Sequence, residues 1–206
     1  MLQPQNPTDV LWTRLQAASP AEVVARAAVS YDPARQAYVV PVCGREVTVV
    51  PAEKRVEAPE GSPGFEAGLV CLQYLLVSRD VPRANEWVDP KVVPYGDFFF
   101  RGPHDLPTAG LERAFGQRLD AFRKAAESLG GRAVQMGDAA CEFRALPRVP
   151  IVVILWAADD EFPARARFLF DRSVHHQLPV DALWVLCRVL AKGLVASVGS
   201  PTGRGA

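Results

Sequence analysis

The spacing of apolar residues along this chain changes several times, and each change marks an element. Over residues 7–18, Val10, Leu11 and Leu15 recur on one side with Trp12 beside them, which predicts a first helix. Ser19-Pro20-Ala21-Glu22 has the form of a capping box with proline at the first helical position. A second helix is therefore expected to start there and to carry Val23, Val24 and Ala27 to about Ser30. Residues 37–43 and 46–50 are β-branched and aromatic runs around Gly44-Arg45, the pattern of a hairpin whose glycine takes a positive φ. Pro51 to Gly64 is charged and rich in proline and glycine, so it reads as a loop and as the best internal linker candidate.

Helical spacing returns over Phe65 to Ser78. Leu69, Leu72 and Leu76 recur there, and Val70, Tyr74 and Leu75 widen the stripe, so this helix should be buried on most sides. Residues 80–107, with five prolines and two glycines, read as a long irregular segment. Connections of that length are uncommon in compact domains and often functional. A single helix is expected over about 109–129, capped by Thr108 and ended by Gly130-Gly131. The period then drops to two, and Arg132–Met136, Ala140–Ala145, Pro150–Ala157 and Ala164–Asp171 read as four strands. Ile151 to Trp156 is apolar on both faces, as a central strand covered on both sides would be. In the last strand Ala164, Ala166, Phe168 and Phe170 share one face, and Arg165, Arg167, Leu169 and Asp171 the other. Pro179 opens a final helix to about Ala196, with Leu183, Leu186, Val189, Leu190 and Leu194 inward. The expected class is α+β: an antiparallel β-meander (about 132–171) plus a β-hairpin (about 37–50), packed with about five helices. The 206 residues fit one domain, 1–197, with 198–206 as a flexible tail.

Composition narrows the partners. Hydrophobic residues make up 49% and charged residues 22%, which excludes whole-chain disorder and collagen-like or coiled-coil classes. The 23 basic residues balance 23 acidic ones, so the basic excess of a general nucleic-acid binder is missing. The longest apolar run, Ile151 to Ala158, is too short for a membrane helix, and Arg188 and Lys192 break the C-terminal one. The N-terminus does not have the order of a signal peptide. Cys43, Cys71, Cys141 and Cys187 stand far apart with no CxxC pair, as in a protein of a reducing cytoplasm. A soluble cytoplasmic protein with no nucleic-acid or membrane partner is expected.

Several residues could carry chemistry. Asp159-Asp160-Glu161, on the turn between two predicted strands, could hold a hard divalent cation or supply a general base. The plainer reading is a solvated turn, although Phe162-Pro163 beside it suggests packing. Of His175 and His176, flanked by Asp171 and Asp181, His176 is expected to face inward and could act as ligand or acid/base group. His104 lies in the irregular segment, where Phe98 and Phe100 could line an apolar pocket together with Trp156 and Phe162. Arg144, Arg148, Arg165 and Arg167 cluster in the sheet region; Arg165 and Arg167, if they share a face, could clamp an anion, although pairing across strands with carboxylates such as Glu142 and Asp171 is the favoured reading. The HExxH, GxSxG, GxGxxG and P-loop signatures are all missing.

Leu146-Pro147-Arg148-Val149-Pro150, Trp156, Asp160-Glu161-Phe162-Pro163, Phe170-Asp171 and Leu178-Pro179 with Asp181 resemble an uncharacterised prokaryotic family, domain of unknown function 3786. Gly102-Pro103-His104 and Gly130-Gly131 also fit it, and the resemblance runs from about Val10 to Leu194. Some members of that family join this domain to a four-cysteine iron–sulfur segment like those of corrinoid-protein partners in anaerobic one-carbon metabolism. The resemblance thus implies a fold neighbourhood and an anaerobic, cofactor-related context, but no reaction and no assigned active site. The present chain lacks the clustered cysteines.

The reading these features favour is a module that binds a cofactor or small ligand between the loop at 95–107 and the segment from Asp159 to His176. A corrinoid or a divalent metal is the cofactor hypothesis. One alternative is a small hydrolase or isomerase using carboxylates and His176, with or without a divalent metal. Another is a non-catalytic adaptor for a partner protein. Oligomeric state and metal identity are not written in the sequence.

Overall fold

The computed structural model describes residues 7–58 and 64–199. The first helices are α1 (Pro7–Ala17) and α2 (Pro20–Ala27). Ser19 occupies the N-cap position of α2, but its side chain caps nothing, so the expected capping box does not form. The helix starts on Pro20, with the Val23 amide donating to the Ser19 carbonyl (3.0 Å), and it ends on Ala28 at φ 52°.

An antiparallel sheet follows in chain order: β1 (Ser30–Asp32), β2 (Ala37–Val42), β3 (Arg45–Val50) and β4 (Arg55–Glu57). The expected hairpin is its centre. Its turn is Cys43–Gly44, at φ 49° and 77°, one residue earlier than Gly44-Arg45. Both central residues of such a two-residue turn must adopt positive φ. The expected linker over 51–64 is partly structure, because a 3-10 turn at Pro51–Glu53 leads into β4, which pairs with β3. Residues 59–63 of that stretch lie outside the described residues.

Helix α3 (Phe65–Val77) is buried along most of its length and packs against α1, α2 and β3. The irregular segment contributes the two-residue strand β5 (Trp87–Val88) and the short helix α4 (Gly96–Phe99). The helix expected over 109–129 is two helices, α5 (Thr108–Phe115) and α6 (Leu119–Ser128). Gly116 lies at the break, in a place with no room for a side chain. A Cβ on Gly116 would stand 2.3 Å from the Cβ of Ala164, and the Gly116 carbonyl accepts the Ala158 amide (3.0 Å). Thr108 is the first residue of α5 and does not cap it. Gly130, at φ 73°, ends α6 as expected.

The four expected strands are β6 (Arg132–Val134), β7 (Ala139–Leu146), β8 (Val149–Trp156) and β9 (Arg165–Asp171). With β5 at one edge they form an antiparallel sheet in the order β5-β9-β8-β7-β6. Helix α7 (Val180–Gly199) closes the fold against α3, α5 and α6. It runs beyond Ala196, and residues 200–206 of the expected tail lie outside the described residues. Among the described residues no helix is long and apolar enough to cross a membrane.

The inner face of the larger sheet (Cys141, Phe143, Ile151, Val153, Leu155, Phe168 and Phe170) joins the helices and the smaller sheet in one continuous core. Each large apolar side chain buried in this way contributes about 1.5–3 kcal/mol. The outer face has its own small cluster: Ala140, Val152 and Ile154, with Trp87, Val134, Met136, Trp156 and Leu169 against it. Strand β8 is therefore covered on both sides, but no helix supplies the outer cover.

Candidate functional site

The irregular segment from 80 to 107 is held in place by polar and ring contacts. Asp171, fully buried at the end of β9, accepts the Ala84 amide (2.9 Å), the Ser173 amide (3.0 Å) and the Ser173 hydroxyl (2.6 Å). Arg83 Nε reaches it at 3.3 Å. Burial pushes the Asp171 carboxyl up, but these donors outweigh burial and hold it below its ordinary range. Further on, Asp89 accepts the Lys91 amide (2.9 Å) and Arg167 (2.6 Å). Burial opposes these contacts at Asp89 too, and its pKa is also lowered on balance. The chain then turns sharply at Tyr95 and Gly96. Tyr95 has φ 66°, and a Cβ on Gly96 would stand 2.0 Å from the Pro90 carbonyl oxygen.

His104 ends this segment inside an aromatic stack. Its ring lies on Phe99 with centroids 4.4 Å apart and meets the edge of Trp184 at 5.4 Å. The Trp184 indole N–H donates to the Asp105 carbonyl (3.0 Å), tying the segment to α7. From Trp184 a groove of about 600 Å³ opens between residues 103–113 and α7. Trp184, Ala191 and Val195 give it apolar surface, while Arg113, Arg188 and Lys192 give it positive charge. The Arg188 guanidinium lies 4.7 Å over the Trp184 ring. Arg188 and Lys192 share one carboxylate, Glu66 of α3, at 2.8 and 2.6 Å. Arg113 has no ion-pair partner among the described residues, and Asp105 is the carboxylate in the lining. Residues 184, 188 and 192 recur every four positions, so one face of α7 carries them all.

The residues singled out from the sequence do not meet in one place. Asp159 is exposed, and its carboxylate accepts the amides of Glu161 (2.9 Å) and Phe162 (2.6 Å), so it builds the β8–β9 turn. Asp160 and Glu161 are exposed on that turn, and Phe162 is 63% exposed. Phe98 is 88% exposed, whereas Phe100 is buried against Phe170. Trp156 belongs to the outer cluster beside Ile154. His176 is half-buried on the 3-10 turn Arg172–His176, its ring 3.8 Å from that of exposed His175. Burial, then the neighbouring His175 and Arg79, lower its pKa. His104, Asp159–Glu161 and His176 share no hydrogen bond or ring contact among the described residues.

Nor do these residues gather as metal ligands. Among the described residues no group of three or more His, Cys, Asp or Glu is placed to hold a metal ion. The four cysteines are buried and unpaired. Burial pushes the Cys43 thiol up to about 12 and raises Cys71, Cys141 and Cys187 as well, away from the thiolate form that binds metals. A cleft of about 270 Å³ does lie between the loop and β9, lined by Phe100, Leu106 and Arg167, where the sequence reading sets a ligand. Arg167 is already engaged there by Asp89.

The groove residues Arg113, Trp184, Arg188 and Lys192 escape sequence reasoning. The available signal is the pair of cations, Arg188 and Lys192, four apart in an otherwise apolar helix.

Two antiparallel sheets sharing one core with a layer of helices define an α+β protein, with an aromatic and cationic groove on its helical side. The chain belongs to the family described as Domain of unknown function (DUF3786), whose model matches residues 19–193. No curated protein and no solved structure gives a significant match to it.

Proposed function

We propose that this protein is a non-catalytic binding module for a small amphipathic anion, held in the groove between residues 103–113 and α7. One observation carries the reading: a groove of about 600 Å³ joins the apolar surface of Trp184, Ala191 and Val195 to Arg113, Arg188 and Lys192. That volume is in the range of small-molecule sites, which pair apolar walls with a few placed polar groups. Charge favours an anion. Arg188 and Lys192 have only Glu66 between them, and Arg113 has no ion-pair partner among the described residues. The chemistry of a hydrolase has less support, because its candidate carboxylates and histidines stand on separate elements.

The test uses 8-anilinonaphthalene-1-sulfonate, an aromatic anion of the proposed kind, titrated against the native protein. Saturable one-site binding is expected, with near-ultraviolet circular dichroism unchanged. That control matters because the dye also binds loosely packed states. Val195 is 40% exposed, so Val195→Glu should fold normally and weaken binding about tenfold or more. Absent binding, or binding that Val195→Glu leaves unchanged, overturns the reading. The exposed side chains Val92, Tyr95 and Phe98 would then favour the adaptor. An absorption spectrum and metal assay on anaerobically purified protein test the corrinoid and divalent-metal hypothesis separately.

A further inference from the structure

The outer face of the larger sheet carries a second concave surface with a different chemistry. A cavity of about 250 Å³ is lined by Arg132 of β6, Glu142 and Arg144 of β7, Arg148 of the β7–β8 turn, and Val81 and Arg83 from the irregular segment. Its lining holds four guanidinium groups and one carboxylate. Cross-strand pairing explains the placement. Arg132 sits opposite Glu142, and Arg144 is the next residue of β7 on the same face.

The nearby carboxylates are already engaged. Glu142 takes Arg83 NH1 at 2.6 Å. Asp171 is held by Arg83 Nε, Ser173 and the Ala84 amide. Asp80 takes Arg148 at 2.5 Å. Arg83 is further fixed with its guanidinium 4.7 Å over the Trp87 ring. Arg144 Nε donates to the Pro147 carbonyl (3.0 Å), which orients its guanidinium. After these pairings Arg132 and Arg144 have no carboxylate partner among the described residues, and like charges so close on one sheet face repel.

We infer that this cavity is a binding site for a small dianion with several acceptor oxygens, taken between Arg132 and Arg144 and distinct from the helical groove. Two unpaired positive charges match two negative ones. The flat fork of a guanidinium gives paired hydrogen bonds to phosphate or carboxylate oxygens. The size of the cavity limits the ligand to a phosphate-sized group with a short body. A phosphate and a short dicarboxylate share this chemistry.

The experiment is isothermal titration of the full chain at low ionic strength with inorganic phosphate and, in parallel, with succinate. One-site binding of at least one of them is expected, and the stronger identifies the ligand class. The Arg132→Gln/Arg144→Gln variant should weaken it about tenfold or more. Both positions are exposed, so the variant is expected to fold, and far-ultraviolet circular dichroism checks this. The control, Arg165→Gln/Lys124→Gln, removes the same charge from exposed positions outside the cavity and should leave binding unchanged. No saturable binding of either probe overturns the proposal, as does equal weakening in the control. A single-stranded oligonucleotide that binds more tightly than both probes, with the same loss in the double variant, overturns it in favour of a nucleic-acid surface.

Discussion

Asp171 shows how much one side chain can organise in this fold. It is fully buried, yet four donors satisfy its carboxylate and anchor residues 83–84 to the end of β9. Asp171→Ala leaves the Ala84 and Ser173 amides and Arg83 without that acceptor. A loss of about 2–3 kcal/mol in urea denaturation is expected, the cost of stranding buried donors. The sign of the pH dependence follows from its lowered pKa. The unfolded carboxyl titrates near ~3.9, so the stabilisation is complete above that pH and is lost as pH falls through the folded value. His176 acts in the same direction at higher pH. Its folded pKa is lowered, so its contribution is complete above ~6.5 and is lost as pH falls through the folded value. Denaturation midpoints should therefore fall on acidification, with Asp171→Asn flattening the acid limb and His176→Gln the limb below neutrality. Little of this is legible in the sequence, where Asp171 reads only as a cross-strand partner for arginine or a flank to His175-His176. Its actual partner, Arg83, lies 88 positions earlier.

Elements with a strong period are the ones that composition and spacing reveal. Strands β7, β8 and β9 and helices α3 and α7 lie where they are expected, apart from small shifts at their ends, because a buried face forces one repeat over many residues. Strands β1 and β4 are three residues long and β5 is two, too short to show any repeat, and they exist because an edge was available to pair with. The divided helix is the instructive case. Leu111, Phe115, Leu119 and Phe122 keep helical spacing across the break, so the apolar pattern passes through Gly116 undisturbed. Gly116 closes α5 where no side chain fits: a Cβ there would stand 2.3 Å from the Ala164 Cβ in the β8–β9 connection and 2.6 Å from the Glu112 carbonyl oxygen. Gly116 has an ordinary helical φ of −59°, so alanine meets no backbone penalty there, only the clash. Gly116→Ala should therefore cost about 1–3 kcal/mol, the range for overpacking. Thermal unfolding of that variant beside Ala164→Gly/Gly116→Ala checks the cause, because removing the opposing Cβ should restore part of the loss.

At the scale of the whole molecule the two sheets are joined at the tip of the β2–β3 hairpin. The Cys43 amide donates to the Ala145 carbonyl of β7 (2.9 Å), and Gly44 lies against the end of α6. A Cβ on Gly44 would stand 2.4 Å from the Leu129 carbonyl oxygen, and the residue has φ 77°. Gly44→Ala combines a left-handed backbone penalty with a backbone clash and should cost about 2–4 kcal/mol. Both sheets share one core, so tryptophan fluorescence and far-ultraviolet circular dichroism should report the same lowered midpoint. A variant that melted the smaller sheet first would show that the hairpin tip joins two separately stable layers.

Sequence by itself determined the class of fold, the hairpin, the meander, the deeply buried helix and the two faces of β9. Each follows from a local repeat, and burial of one face turns a repeat into an element. Only the tertiary structure decided the chemistry. Asp159–Glu161, His104 and His176, each suggestive in the chain, are placed by folding on a turn, in an aromatic stack and on a separate 3-10 turn. Arg132 with Arg144, and Trp184 with Arg113, meet because strand register and helix packing bring distant positions together. A repeat is a property of neighbours in the chain, whereas a site is a property of neighbours in space. Charge pairing then selects among these cations, because Asp89 engages Arg167 and Arg132 and Arg144 are left without a carboxylate among the described residues.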